Sequence, residues 1–275
     1  MEQLENLRKN WTKEYFNKEE AMNLWDNQAR QGCYMKIPSI KENKFLQLLQ
    51  NEGMLQPNFH VLDIGCGGGA YSLSIAPFVH SVTGCDFSKE MIANAKSLTT
   101  HTPTINNVNF EVIDWHTLSI KDKGWSEKFD VAFAHMSPAV ADVDTLEKLV
   151  NASKGYCVIT KPTRRTDSIL DTVKEMVGLE ETRTDVKKDI PYIFEYTWLS
   201  GYRPKIMYEP QTWIANRTIE ESFVHYTSRI GQFMDLSNKQ KEIILDYLHS
   251  ISKNGQIEEM IKSLTVTIYW NKNER

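Results

Sequence analysis

Between residues 60 and 161 short apolar runs alternate with helix-length segments, and this rhythm limits the fold more than any other feature of the chain. "HVLDI", "SVTGCD", "VNFEVID", "FDVAFAHM" and "GYCVITKP" read as strands, the last ended by Pro162. "AYSLSIAPFV", "SKEMIANAKSL" and "DVDTLEKLVNAS" read as the helices between them, the second capped by Ser88 with Glu90 near its start. Strands this apolar, joined by helices, form a parallel sheet covered on both faces. That is a doubly wound α/β architecture.

The flanks follow other rules. Residues 1–35 are charged and aromatic, with Trp11, Tyr15, Phe16, Trp25 and Tyr34, and read as one or two short helices outside the main core. In "KIPSIKENKFLQLLQNEGM", Ser39 is the expected cap, Phe45, Leu46, Leu48 and Leu49 the buried stripe, and Gly53 the stop. After Pro162, "TDSILDTVKEMVG" reads as a helix capped by Thr166 or Asp167. "IPYIFEYTWLSG" has proline inside its start and glycine past its end, which favours a helix, although its aromatics also suit a strand. "RPKIMYEPQTWI" and "LTVTIYW" read as strands, and the amphipathic helices between them, about 218–250, as an insertion.

Composition enters mainly by exclusion. The net charge of −4 gives no global basic field for nucleic acid, although Lys187-Lys188 and Lys161 to Arg165 form small clusters. Cys33, Cys66, Cys85 and Cys157 lie far apart with no C-x-x-C pair, which argues against a zinc site and for a reducing compartment. The polar N-terminus has no apolar stretch of the signal-peptide kind, and no run of 18 apolar residues exists. The expectation is a cytoplasmic protein without a membrane segment.

The functional question centres on "HVLDIGCGGGAYS", residues 60–72, where four glycines follow a strand and an aspartate. Side chains here would keep the backbone from touching a ligand. A P-loop is excluded, because no Gly-Lys-Ser/Thr follows. A dinucleotide loop stays open: Gly65, Gly67 and Ala70 satisfy its pattern, and Asp86 stands where a ribose-binding acid belongs. Two features weigh against it. Asp63, two residues before the first glycine, would repel a pyrophosphate and suit a ligand with positive charge. Asp114-Trp115, after the third strand, would accept from an adenine amino group and cover its face.

In order and spacing, "VLDIGCGGG", "GCDFSKEMI", "NFEVIDW" and "FDVAFAHM" resemble the motifs of class I S-adenosylmethionine-dependent methyltransferases. The resemblance covers residues 60–161, with "TVTIYW" as a last, antiparallel strand. It implies one domain over 1–275: an N-terminal helical cover (1–55), a cofactor-binding half (60–161) and a substrate-side half (162–275). The sheet would be seven-stranded and mainly parallel. Asp63, Gly65, Cys66, Gly67 and Gly69 would surround the methionine part of S-adenosylmethionine, and Asp86 would bind the ribose, Ser88 serving as the cap. Phe87 and Met91 would line the adenine, with Asp114 at its edge and Trp115 on its face. His135 and Met136 would lie beneath the sulfonium. "NLWDNQA" is similar to a stretch that covers the cofactor, which makes Trp25 and Arg30 candidates for that cover.

Methyl transfer is an in-line substitution that neutralises charge, so positioning and desolvation can carry it without a triad or a metal. The sequence offers neither, and its seven histidines show no ligand spacing. His135 is the one candidate general base, provided it keeps an ordinary imidazole pKa. "HMSPAV" departs from the [ND]-P-P-[YF] pattern of enzymes that methylate planar amino groups. A small-molecule acceptor is expected; a nucleic-acid or protein methyltransferase, or a protein that binds S-adenosylmethionine without catalysis, stays open as the alternative. Tyr192, Phe194, Tyr196, Trp198 and Tyr202 are candidates for lining its pocket under the 218–250 helices, or else for core.

Overall fold

The computed structural model describes residues 2–12, 18–32, 35–179 and 189–274. Tyr15, Phe16, Cys33, Tyr34, Lys187 and Lys188 lie outside the described residues. Seven strands form one sheet: β1 (His60–Ile64), β2 (Ser81–Asp86), β3 (Val108–Val112), β4 (Phe129–His135), β5 (Ser153–Asp167), β6 (Lys205–Thr218) and β7 (Gln256–Asn271). Their spatial order is β3-β2-β1-β4-β5-β7-β6. β1 to β5 pair in parallel, and β7 runs antiparallel to both β5 and β6. The sheet is thus doubly wound and mainly parallel, with its last strand reversed, as the sequence predicts.

Period-two alternation assigns each strand residue to a face. On one face Leu62, Ile64, Ala132, Ala134, Cys157, Ile159 and Trp270 meet α6 (Val143–Ala152) and α8 (Asp189–Leu199). On the other, Val61, Val82, Val131, Phe133 and Val158 meet α3 (Lys44–Asn51). α4 (Ala70–Ile75) and α5 (Lys89–Thr100) extend that second face, where Leu73, Ile92 and Ala95 close over Phe110 of β3. The stripe Phe45, Leu46, Leu48 and Leu49 is buried as its spacing requires. The cap of α3 is Asn43, however, whose Oδ1 accepts from Leu46 N; Ser39 instead makes a turn with Lys41.

Three boundaries differ from expectation for physical reasons. β5 runs through Pro162 to Asp167, because β4 pairs with it only as far as Thr160. Beyond that point a missing N–H costs no ladder bond on the β4 side. β7 begins at Gln256, eight residues before "LTVTIYW", and its inward row there includes Glu259, held by Arg217 of β6 at 2.7 Å. Finally, α1 (Glu2–Asn10) and the residue after it are not outside the core: Leu7 and Trp11 are buried in the first face's cluster.

α9 (Ile219–Gly231) and α10 (Asn238–Ile251) lie between β6 and β7 and pack with α7 (Ser168–Val177) through Tyr226, Ile230, Ile244 and Val173. Asp167 caps α7, and Thr218 opens α9 with a capping box. The aromatic residues of 192–202 do not lie beneath these helices. Tyr196 and Tyr202 are in the main core with Trp270, Tyr192 stacks on Trp11 at 5.9 Å, and Trp198 is largely exposed. α2 (Lys18–Arg30) packs against both α5 and α9.

Candidate functional site

The strand order reverses at β1, which has β2 on one side and β4 on the other. Loops leaving β1 and β4 diverge there, and in open α/β sheets the crevice at the carboxyl ends of such strands is where ligands bind. Four loops meet at this edge: 65–69 after β1, 87–88 after β2, 113–116 after β3 and 136–140 after β4. Gly65, Cys66, Gly67, Gly69, Phe87, Ser88, Asp114, Trp115 and Met136 lie on them, and Asp63, Asp86 and His135 at or near the ends of the strands that lead into them.

The glycine turn is stitched to its neighbours. Gly65 and Cys66 both donate N–H to Cys85 O, at 2.7 and 3.0 Å. Gly67 N donates to Asp86 Oδ2 at 3.0 Å, and Ser88 N to Asp86 Oδ1 at 2.9 Å. One carboxylate therefore joins the turn to the start of α5. Burial raises the Asp86 pKa, which the amides of Ser88 and Gly67 oppose.

The glycines have different reasons. Gly65 sits at φ +71°, and a Cβ there would collide with Ser137 of the loop after β4. Gly69 opens α4, where a Cβ would come within 2.6 Å of the Phe110 ring. At Gly67 (φ +52°) the nearest atom to such a Cβ is Met91 Sδ, at 3.9 Å. Packing within the protein demands two of these glycines, and Gly67 is the one whose face is open.

Asp63 requires a correction. It is buried in β1, and its Oδ2 accepts from Ser72 Oγ of α4 at 2.6 Å. Burial pushes its pKa up to about 7. Its charge is not full at neutral pH and one of its oxygens is taken by Ser72, so repulsion of a pyrophosphate cannot rest on it. The negative field comes instead from Asp86 and from Asp26 of α2, whose charge contributes to raising Asp86. Asp26 Oδ1 accepts from Ser88 Oγ at 2.5 Å, while the same hydroxyl caps α5 by accepting from Met91 N. α2 is fastened further along α5 by Asn94 donating to Ala29 O, and by Arg30 beside Glu90 at 3.4 Å.

Other positions divide. Phe87 is half-buried, Met91 is buried under Gly67, and Trp25 is half-buried on α2. Asp114 keeps part of its surface exposed and accepts from His116 N. Trp115 points the other way: it is buried in the first face's core, and its indole N–H donates to Thr145 O of α6 at 3.0 Å. Its faces are core surface rather than an adenine platform. The Cys66 thiol is pushed up by burial, as is that of Cys85, so neither is a reactive thiolate.

His135 faces α3 and α4, stacked on Phe45 at 4.0 Å with Tyr71 at 4.4 Å. Its Nδ1 is enclosed without a hydrogen-bond partner among the described residues, and burial pushes its pKa down to about 3. The ring is neutral at pH 7 and its conjugate acid too strong for efficient proton abstraction, which removes the premise of an ordinary imidazole base. Met136 follows at φ +55°, in the left-handed region that non-glycine residues seldom adopt. Its N–H donates to Thr160 O.

Two lysines hold these loops, Lys148, which no motif marks, and Lys161, which the sequence shows only as part of a small basic cluster. Lys148 of α6 donates to Trp115 O and His116 O at 3.1 and 2.6 Å, and Lys161 of β5 to Ser137 O and Val140 O at 2.8 and 2.6 Å. Neither belongs to a local motif. Among the described residues no group of three or more His, Cys, Asp or Glu is placed to hold a metal ion.

Comparison with known proteins decides the family. The sequence pattern of the methyltransferase domain matches residues 55–209. The chain belongs to the methyltransferase domain family. A ubiquinone biosynthesis O-methyltransferase from Hydrogenovibrio crunogenus is 30% identical over 115 residues, which is 40% of this methyltransferase-family chain and 42% of that relative's length. The chain thus matches less than half of that relative. A candidate methyltransferase from Bacillus halodurans shares the fold, with a TM-score of 0.50 at 14% identity over 84% of this chain and 99% of its own. A S-adenosylmethionine-dependent methyltransferase from Geobacter sulfurreducens, solved with S-adenosylhomocysteine, gives 0.49 at 15% identity over 90% and 97%.

Proposed function

We propose that this chain is a S-adenosylmethionine-dependent methyltransferase acting on a small-molecule acceptor. The observation that carries the reading is the meeting of Gly67, Asp86 and Asp26 at the switch point of the sheet. Backbone open to a ligand stands there beside two carboxylates. A sulfonium with an amino acid ammonium suits that field, whereas a pyrophosphate would be repelled. Family membership and the partial likeness to an O-methyltransferase support the same chemistry.

In this reading the whole chain acts as one domain. Gly65, Cys66, Gly67 and Gly69 shape the turn around the methionine part, Asp86 takes the ribose hydroxyls, and Phe87, Met91 and Asp114 bound the adenine. Asp86 can still accept, because each carboxylate oxygen has a second lone pair beyond its amide bond. α2 covers the donor through Asp26, with Trp25 and Arg30 on the same helix. Asp63 acts beneath the turn by fixing α4. Met136 stands at the transfer end, and His135 shapes the wall there as a neutral ring. Bound S-adenosylmethionine supplies the electrophilic methyl; the protein supplies alignment and a site that excludes water.

The net charge of −4 supports a small acceptor over nucleic acid. The test is label transfer from methyl-tritiated S-adenosylmethionine to a panel of catechols, phenols, amines and thiols, with total RNA and mixed protein as parallel acceptors. Label in the organic fraction is the expected outcome. Label confined to RNA or protein overturns the acceptor class, and no label in any fraction overturns the enzyme.

A further inference from the structure

We infer that Lys161 is a positioning residue: its buried ammonium holds the loop after β4, and with it the acceptor side of the crevice, in the geometry that transfer needs. The inference rests on the methyl-transfer reading above and adds to it a residue that no sequence motif assigns to the site.

Lys161 is only 4% exposed, on the face of β5 that carries Cys157 and Ile159. An apolar side chain would fill such a position at lower cost, because a buried ammonium must recover its lost hydration from partners. Its partners are specific. Nζ donates to the carbonyls of Ser137 and Val140 and stands 3.7 Å from Asp189 Oδ2. The two carbonyls bracket a four-residue stretch, so one ammonium sets the curvature of the loop.

That loop needs an external hold. It begins at Met136 in the left-handed region, which persists in a non-glycine residue when surrounding structure imposes it. It then brings Ser137 against the α-carbon of Gly65, so the position of one loop fixes the clearance of the other. The clamp is itself anchored. Asp189 also accepts from Trp11 Nε1 at 3.0 Å, and Trp11 stacks on Tyr192. The line Trp11–Asp189–Lys161–loop thus runs from the residue after α1, through the start of α8 and the middle of β5, to the crevice. Lys161 bonds the carbonyls of the loop, so its effect is exerted through the loop.

The test compares Lys161→Met, which keeps the length of the side chain and removes its donors, with Lys161→Arg, which keeps a cation and several donors. Three quantities are read: affinity for S-adenosylhomocysteine, transfer rate at saturating donor with the best acceptor of the panel, and backbone hydrogen exchange. In Lys161→Met, exchange over residues 136–140 is expected to rise about tenfold or more while the amides of β1 and β2 stay unchanged. The transfer rate is expected to fall about tenfold or more, with donor affinity held within about threefold. Lys161→Arg recovers most of both changes.

Uniform acceleration of exchange throughout the sheet would make Lys161 a general stabiliser and overturn the inference, as would an unaltered loop or an unaltered rate. Should Lys161→Met fail to fold, Asp189→Asn keeps an acceptor for Trp11 and removes the anion. The same pattern at smaller amplitude is then expected, and its absence counts against the clamp. Failure of the wild-type chain to bind S-adenosylhomocysteine would sink the methyl-transfer reading. Normal wild-type behaviour with an indifferent Lys161→Met would sink the clamp alone.

Discussion

The loops that leave β1 and β4 lie side by side at the same crevice, yet different means hold them. The first is shaped by its own residues: glycines where Ser137 and Phe110 press in, and amide bonds to Cys85 O and the Asp86 carboxylate. The second has no glycine. It bends at Met136 with φ +55° and is held by Lys161 from β5, backed by Asp189 from α8. A turn built from local residues announces itself in the sequence. A turn held by distant ones does not.

The largest expected effect separates two neighbours within the first loop. Gly65→Ala combines a left-handed φ with a collision against Ser137 and is expected to destabilise the fold by about 3 kcal/mol. Gly67→Ala has the φ strain without the collision, so about 1 kcal/mol is expected, together with loss of donor affinity that exceeds the loss of stability. Urea midpoints and S-adenosylhomocysteine titrations of the two variants read this directly. Equal destabilisation would break the distinction between a glycine required by packing and one required by a ligand.

A second contrast lies in buried Asp63 and half-buried His135, whose pH effects have opposite sign. The Asp63 pKa is raised to about 7, so the folded state holds its proton longer than the unfolded chain does. Its stabilising contribution is full below pH 4 and lost as pH rises through 7. His135 is lowered to about 3, so its contribution is present above pH 6.5 and lost as pH falls. Relative to the wild type, Asp63→Asn should gain stability as pH rises from 4 to 7, and His135→Gln as pH falls from 6.5 to 4. Denaturation midpoints across that range check both, and slopes of the same sign would contradict the burial account.

The smallest effect sharpens the description of the second loop. Met136→Gly relieves the left-handed backbone while adding chain entropy to the unfolded state. A net stabilisation of about 0.5 kcal/mol is expected, seen as a slightly higher Tm. A clear loss of stability would mean that the Met136 side chain, not the clamp, holds the bend.

How much of this was legible follows the same division. The five parallel strands, the glycine turn and the Ser88 cap of α5 are local patterns, and each stands where its residues place it, save that β5 continues past Pro162. Trp115 misled because an indole at a strand end is equally suited to a cofactor face and to a core, and only the position of Thr145 on α6 decides. The start of β7 was hidden by Glu259, a carboxylate in an inward row whose Oε2 accepts from Arg217, a diagonal neighbour on β6. Asp26 lay within a stretch already singled out for Trp25 and Arg30, but its partner Ser88 is 62 residues away. Lys161 read as part of a small basic cluster for the same reason: its carbonyls come from the loop after β4 and its anion from α8, both distant in sequence.

The most direct test of the central claim is a calorimetric titration of the protein with S-adenosylmethionine, S-adenosylhomocysteine and NAD, repeated on Asp86→Ala. The account predicts micromolar binding of the first two, no heat with NAD, and loss of binding in the variant. Binding of NAD in place of the sulfonium ligands, or donor binding indifferent to Asp86, would contradict it.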